Sequence, residues 1–421
     1  MKKKIMSNDR LIIQGGKPLF GDVKISGAKN AVLPLISISL LFNKGFSLQN
    51  VPDLADTRLM IKLINALGVM TKFYDGVIDF YGEPQNIEAP KELVSKMRAS
   101  ILVLAPLLSK RHNALIPMPG GCEIGERPIN YHIDALKQLG AETYFQNGFL
   151  RATLPHRKFI GNEIKFPQIS VGATECAIMG ATLAIGKTKI YNAAKEPEIV
   201  DLGNCLNLAG AKIKGLGTNI IEIEGVSQLN PIRYSVIPDR IEAGSFAIIA
   251  GITKGEVNLL NSNPNDLKVF FQKLKQTNVN VEVYNNTVKV TGVSQINSVN
   301  IQTEPHPGFP TDLQAQFMSL MCIANGKSVI EENIFENRFM HVPELSKMNA
   351  SLKIDGNKTI VNGVKQLQGA AVKATDLRAS MSLIAASLNA NGESVVNDLS
   401  HLKRGYENFE EKLFNIGANI R

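Results

Sequence analysis

One short signature recurs six times along this 421-residue chain. A helix ends, Gly or Asn follows, and a short strand begins. It reads Ala66-Leu67-Gly68-Val69, Gln138-Leu139-Gly140-Ala141 and Leu208-Ala209-Gly210-Ala211 in the first half. It returns as Gln276-Thr277-Asn278-Val279, Lys347-Met348-Asn349-Ala350 and Asn415-Ile416-Gly417-Ala418. Gly and Asn are the residues that close a helix in the left-handed conformation. A spacing of roughly seventy residues between copies marks a repeated supersecondary unit. Six units are too many for one ordinary core, so two domains of three units each are expected.

A second signature precedes most copies. An Ala/Ser-rich apolar helix ends at Gly and a strand follows: Gly27 to Gly45, Gly172 to Gly186, Gly244 to Gly255, Asp312 to Gly326 and Asp376 to Gly392. Helices this apolar on every face read as buried. Each unit therefore holds a buried helix, a strand, an amphipathic helix such as Asp56 to Leu67, and a further strand. The break between halves should fall near Asn230 to Pro238. Two similar lobes facing each other would make a cleft, a common place for ligands.

The second copy, Met97 through Ser109, lacks the closing Gly. It runs instead into Pro119-Gly120-Gly121-Cys122-Glu123-Ile124-Gly125-Glu126-Arg127-Pro128. Three glycines and two prolines exclude helix and central strand. A thiol on such a loop, with arginines in the same half of the chain, can be tuned toward the thiolate. The alternative is a small buried residue in a structural turn. Cys122, Cys176, Cys205 and Cys322 are far apart and form no CxxC pair, so neither a disulfide framework nor a zinc site is signalled. Few, unpaired thiols fit a reducing compartment. The opening residues lack the apolar run of a signal peptide, and no window reaches a membrane span. A cytoplasmic, soluble protein without membrane partners is expected.

Charge narrows the ligand. The net charge is +8 and the pI about 9.1, which favours anionic partners. Basic residues are scattered and Trp is absent, so phosphorylated small molecules fit better than nucleic acid. Lys29-Asn30 opens the first buried helix, Ser170-Val171-Gly172 the third, Asp312 the fifth and Asp376 the sixth. Helix N-termini attract anions. An Asp there is most simply a cap, but Asp312 follows the stiff approach His306-Pro307-Gly308-Phe309-Pro310. Arg98, Arg127, Arg338, Arg378 and Arg404 lie in loops or helix starts of both halves. No P-loop, dinucleotide glycine motif, HExxH or GxSxG is present, and no metal or cofactor is implied. These residues describe a two-lobed enzyme for an anionic substrate, with a thiol and a carboxylate as acid/base candidates.

Several segments together resemble the enolpyruvyl transferase family, in the branch that acts on UDP-N-acetylglucosamine. They are Ile25 to Ala31, the loop Pro119 to His132, Ala194 to Asp201, Pro238 to Glu242, Pro307 to Asp312 and Glu336 to His341. The resemblance covers almost the whole chain. It implies an α/β fold, a two-lobed inside-out barrel of six βαβαββ-type units with buried helices surrounded by sheets. Residues 29–237 would form the N-terminal lobe, and 1–28 with 238–421 the C-terminal lobe.

The resemblance also implies transfer of the enolpyruvyl group of phosphoenolpyruvate to the sugar 3-hydroxyl, with release of phosphate, at the opening of peptidoglycan synthesis. Cys122 matches the family's catalytic cysteine, the fosfomycin target. Asp312 matches its acid/base carboxylate. Lys29, Asn30, Arg127 and Arg404 match phosphoenolpyruvate ligands. Arg98, Arg127, Pro128, Ile129, Asn130, Tyr131, Ser170, Val171, Gly172, Asp312 and Ile334 match nucleotide-sugar contacts. Arg338 and Arg378 match supporting arginines. No obligate protein partner is implied. Asn130 stands where an Asp is usual and Gln168 where a basic residue is frequent. A sister transferase acts on shikimate 3-phosphate and lacks the cysteine loop, so Cys122 separates the two.

Overall fold

The computed structural model describes residues 10–120 and 129–421. The chain divides into two compact units. One comprises Pro238–Arg421 with the N-terminal segment up to Ser26, the other the bulk of Gly27–Ile237. Each has its own apolar core.

The six helix ends behave as the repeat predicts. Gly68, Gly140, Gly210, Asn278, Asn349 and Gly417 all have positive φ, between 67° and 105°. Side chains seldom adopt that region, which explains why only Gly and Asn occupy it. The glycine after the fourth buried helix differs. There Lys254 takes the positive φ of 57°. Gly255 is needed for closeness instead, since a Cβ on it would stand 1.9 Å from the Leu19 carbonyl oxygen.

The apolar helices are buried as their sequences require. Every residue from Ile241 to Ile252 of the fourth (Arg240–Ile252) is buried. So is every residue from Ala173 to Thr182 of the third (Val171–Thr182). Several of their hydroxyls are satisfied locally: Ser37 donates to the Leu33 carbonyl, Ser245 to Ile241 and Ser380 to Asp376, at 2.7–2.9 Å. Each thereby avoids the cost of an unpaired buried polar group.

Around the helices lie five four-stranded sheets and one of three strands, among the described residues. A complete sheet holds a hairpin, an antiparallel neighbour and one parallel strand. In the first, Met70–Tyr74 and Val77–Tyr81 form the hairpin, Phe46–Gln49 joins antiparallel, and Ile232–Ser235 joins parallel. Asp75 and Gly76, both at positive φ, make its turn. The second unit keeps only Asn113–Pro117, Phe149–Thr153 and Glu142–Gln146. A single bridge, Glu88 to Leu115, stands in for its parallel strand. This is the unit that runs into the Cys122 loop.

The N-terminal segment completes two sheets of the C-terminal unit. Phe20–Lys24 pairs parallel with Glu256–Leu260, and Arg10–Gln14 antiparallel with both Glu393–Asn397 and Asn419–Ile420. Ser26 ends the segment inside a charged clamp. Its amide donates to Glu242 at 2.7 Å, and Lys412 bridges Glu242 and the Ser26 hydroxyl.

Candidate active site

In the C-terminal unit the structure gathers Asp312, Arg338 and Arg378. Asp312 lies in a 3-10 turn, Thr311–Leu313, just ahead of the fifth buried helix (Gln314–Met321). Its backbone there is not arranged for capping, and its carboxylate turns to the arginines. Arg338 donates through Nη2 to one oxygen, and Arg378 through Nη2 to the other at 2.7 Å. The arginines are about 5% exposed, while the Asp312 side chain is 25% exposed. The carboxylate is therefore the open member of a buried cationic pair. Two guanidinium groups so close favour its ionised form. Burial opposes the charge on Arg378, yet Asp312, with Tyr406 and Asp239, more than restores it, and its pKa stands above the ordinary value.

The backbone beside Asp312 is tied down by Glu332, which is 3% exposed. Glu332 accepts from the Thr311 hydroxyl at 2.9 Å, from the Ile334 amide at 2.9 Å and from the Phe335 amide at 3.2 Å. The amide of Ile334 is thus already engaged. A ligand contact there would use its carbonyl or side chain. Arg404 ends a separate 3-10 turn, Leu399–Arg404, and is half-buried.

Asp376 does otherwise. It caps the sixth buried helix (Leu377–Asn389), accepting from the amides of Arg378 at 2.7 Å and Ala379 at 3.1 Å. Buried beside it is His341, whose pKa burial lowers to about 4; Asp376 opposes that shift and Arg338 adds to it.

The Gly27–Ile237 unit gathers a second set. Lys29 opens the first buried helix (Lys29–Ser37), and its ammonium lies 3.3 Å from the buried carboxylate of Asp56. Asn30 follows it, half-buried. Ser170 caps the third buried helix, accepting from the Ala173 amide at 3.4 Å. Val171 is exposed and Gly172 half-buried. A Cβ on Gly172 would stand 2.7 Å from Nε2 of His132, so the glycine lets that ring approach. His132 is held neutral by burial first and by the nearby Arg98 second, with its pKa lowered to about 4. Arg98 and Gly172 thus flank one buried ring, at two places where a nucleotide-sugar contact is expected. Ile129 is buried, Tyr131 half-buried and Asn130 exposed. Cys122, Arg127 and Pro128 lie outside the described residues.

Asp56, His132, Glu332 and Tyr406 were not singled out from sequence. Asp56 and Glu332 resemble ordinary first-turn and strand-end acids. His132 had a signal, since it closes the segment Pro119 to His132 that carries the resemblance, four residues after Pro128. The three thiols of the described residues, Cys176, Cys205 and Cys322, are buried. Burial pushes Cys176 and Cys322 up to about 12, and Cys205 upward as well. Among the described residues no cluster suited to a metal ion occurs, and no helix is long and apolar enough to cross a membrane.

Known proteins resemble this chain over nearly its full length. The EPSP synthase (3-phosphoshikimate 1-carboxyvinyltransferase) family matches residues 13–413. The UDP-N-acetylglucosamine 1-carboxyvinyltransferase of Desulfosudis oleivorans is 48% identical over 414 residues, covering 98% of this chain and 99% of that protein. The enzyme of the same name from Rickettsia bellii is 48% identical over 417 residues, with 98% and 99% covered. Among solved structures, the enolpyruvyl transferase NikO from Streptomyces tendae superposes with a TM-score of 0.86 at 23% identity, covering 98% of each chain. EPSP synthase from Acinetobacter baumannii gives 0.77 at 17%, covering 98% of this chain and 99% of that one. The solved structures establish the two-domain inside-out α/β fold, and the sequence identities go further: the chain belongs to the carboxyvinyltransferases, in the UDP-N-acetylglucosamine 1-carboxyvinyltransferase family.

Proposed function

We propose that this chain transfers the enolpyruvyl group of phosphoenolpyruvate to the 3-hydroxyl of UDP-N-acetylglucosamine and releases phosphate, opening peptidoglycan synthesis in the cytoplasm. The observation that carries the reading is the 48% identity to enzymes of that name over nearly the full length. The chemistry asks for a group that takes the hydroxyl proton as the sugar oxygen bonds to C2 of phosphoenolpyruvate. It asks for an acid that protonates the C3 methylene. Loss of phosphate and of a C3 proton then restores the double bond. Asp312 suits the first role, being partly exposed and fixed from behind by Arg338 and Arg378. Cys122 is assigned the second. Lys29, Asn30, Arg127 and Arg404 are assigned to phosphoenolpyruvate, which needs cations for a phosphate and a carboxylate at once.

The nucleotide sugar is assigned to Arg98, Arg127 to Tyr131, Ser170 to Gly172, Asp312 and Ile334. The N-terminus of the third buried helix offers amides to a diphosphate. Small molecules are the only partners that this reading requires. The test is phosphate release from phosphoenolpyruvate, with UDP-N-acetylglucosamine or with shikimate 3-phosphate as acceptor. Release only with the first is expected. Release only with the second would move the chain to the sister activity.

A further inference from the structure

Behind the Asp312 carboxylate, the three buried helices of the C-terminal unit each send one polar side chain to a common point. Ser245 comes from the fourth helix, Gln316 from the fifth and Arg378 from the sixth. The point is the hydroxyl of Tyr406, itself 3% exposed. Ser245 Oγ lies 2.8 Å from it, Arg378 Nη1 3.1 Å and Gln316 Nε2 3.4 Å.

The protons at this point can be assigned. Arg378 Nη1 is a donor only, so the phenol oxygen accepts from it; Gln316 Nε2, also a donor, lies nearer the Asp312 carbonyl at 3.0 Å and Ser245 Oγ at 3.3 Å than the phenol. Ser245 gives its own proton to the Ile241 carbonyl at 2.7 Å. The phenol proton therefore goes to Ser245. The chain of donation runs one way, from Arg378 to Tyr406 to Ser245 to the Ile241 carbonyl. Arg378 is held at both ends, by Tyr406 through Nη1 and by Asp312 through Nη2. Packing alone does not call for the hydroxyl. The ring is in edge contact with Phe409, at 5.8 Å and 61°, and a phenylalanine would fill the same space. A buried hydroxyl costs free energy unless it is bonded.

We propose that Tyr406 is a positioning residue for Asp312, its hydroxyl fixing the rotation of the Arg378 guanidinium and so the direction in which the carboxylate meets the sugar hydroxyl. The proposal rests on the assignment of Asp312 as the proton acceptor. Tyr406 also stands two residues after Arg404. Between them, Gly405 lies so close to the sixth helix that a Cβ would stand 2.5 Å from Leu377 Cδ2. The segment carrying Arg404 is thereby referenced to the same helix as Arg378.

The experiment measures turnover of the full-length enzyme with phosphoenolpyruvate and UDP-N-acetylglucosamine. Tyr406→Phe should lower kcat about tenfold, the scale of one misdirected charged contact in a reacting site. KM for the sugar should stay within about twofold, since ground-state binding is untouched. In an Arg378→Lys background the same substitution should add less than about twofold, because the two residues act as one unit. Unchanged kcat in Tyr406→Phe, or fully additive losses in the double variant, would overturn the proposal. Should Tyr406→Phe fail to fold, Ser245→Ala removes the acceptor of the phenol proton and is judged by the same two readouts. Asp312→Asn separates the levels. If it keeps full turnover, the assignment of Asp312 falls and this inference with it. If it loses turnover while Tyr406→Phe does not, only this inference falls.

Discussion

Asp312 and Asp376 occupy the same place in two copies of the repeat, within Thr311-Asp312-Leu313-Gln314 and Thr375-Asp376-Leu377-Arg378. Their fates diverge. Asp376 spends an oxygen on the first amides of its own helix. Asp312 sits in a tightened turn and directs both oxygens to guanidinium groups. Two residues later the first copy has Gln and the second Arg, and that Arg378 is what reaches back to Asp312. The difference teaches how a repeat acquires chemistry: one copy gives up a cap, and its neighbour supplies the cation that holds the released carboxylate.

The largest effect should come from the released acid. Asp312→Asn keeps the shape and should lower kcat by about 100- to 10,000-fold, the range for a lost general base. Because it removes the counter-charge of two buried arginines, it should also lower the unfolding midpoint in urea. An Asp376→Asn variant equally dead in turnover would break the comparison. Next, Arg378→Lys should cost about 10- to 100-fold in kcat/KM, because one ammonium cannot serve both Asp312 and Tyr406 as a planar fork does.

The thiols extend the contrast between spent and available groups. Labelling of the native enzyme with iodoacetamide should modify one cysteine by mass spectrometry. Cys122→Asp should abolish it. Continued labelling would assign reactivity to a thiol that the structure buries.

Acid sensitivity should follow His341, which lies against Asp376, and His132 in the other unit. Both have folded pKa values of about 4, below the ordinary 6.5. Between those values the unfolded chain binds more protons, so stability is full above about pH 6.5 and falls as pH drops toward 4. The two should contribute on the order of a few kcal/mol together. His341→Gln should flatten the pH dependence of urea unfolding; an unchanged slope would contradict the assignment. The smallest effect belongs to the cap. Asp376→Ala should cost about 1 kcal/mol of stability.

How much of this was legible beforehand depends on distance along the chain. The helix ends could be read because the need for positive φ is local, and Gly68 or Asn349 reveals it without reference to neighbours. The buried helices could be read because a helix apolar on all sides has one fate. The arginine pair around Asp312 could not be derived, since Arg338 and Arg378 approach from 26 and 66 residues away. Only resemblance brought them to one site. Tyr406 gave no sign at all: a tyrosine in a sequence does not tell whether its hydroxyl is wet or bonded. Lys254 shows the converse, a position where the glycine beside it answered a close approach instead of a turn.

In the sheet that holds Glu393–Asn397, the outer pair joins strands far apart in sequence, Arg10–Gln14 against Asn419–Ile420. On the ribosome this sets an order of events. The strands of the Gly27–Ile237 sheets are all present once Ser235 has emerged. Arg10–Gln14 must wait until Glu393–Asn397 has been made. At about 5–20 residues per second that delay is about 20–80 seconds. Through that interval Arg10–Gln14 lacks its partner Glu393–Asn397, and Asn419–Ile420 joins it later still.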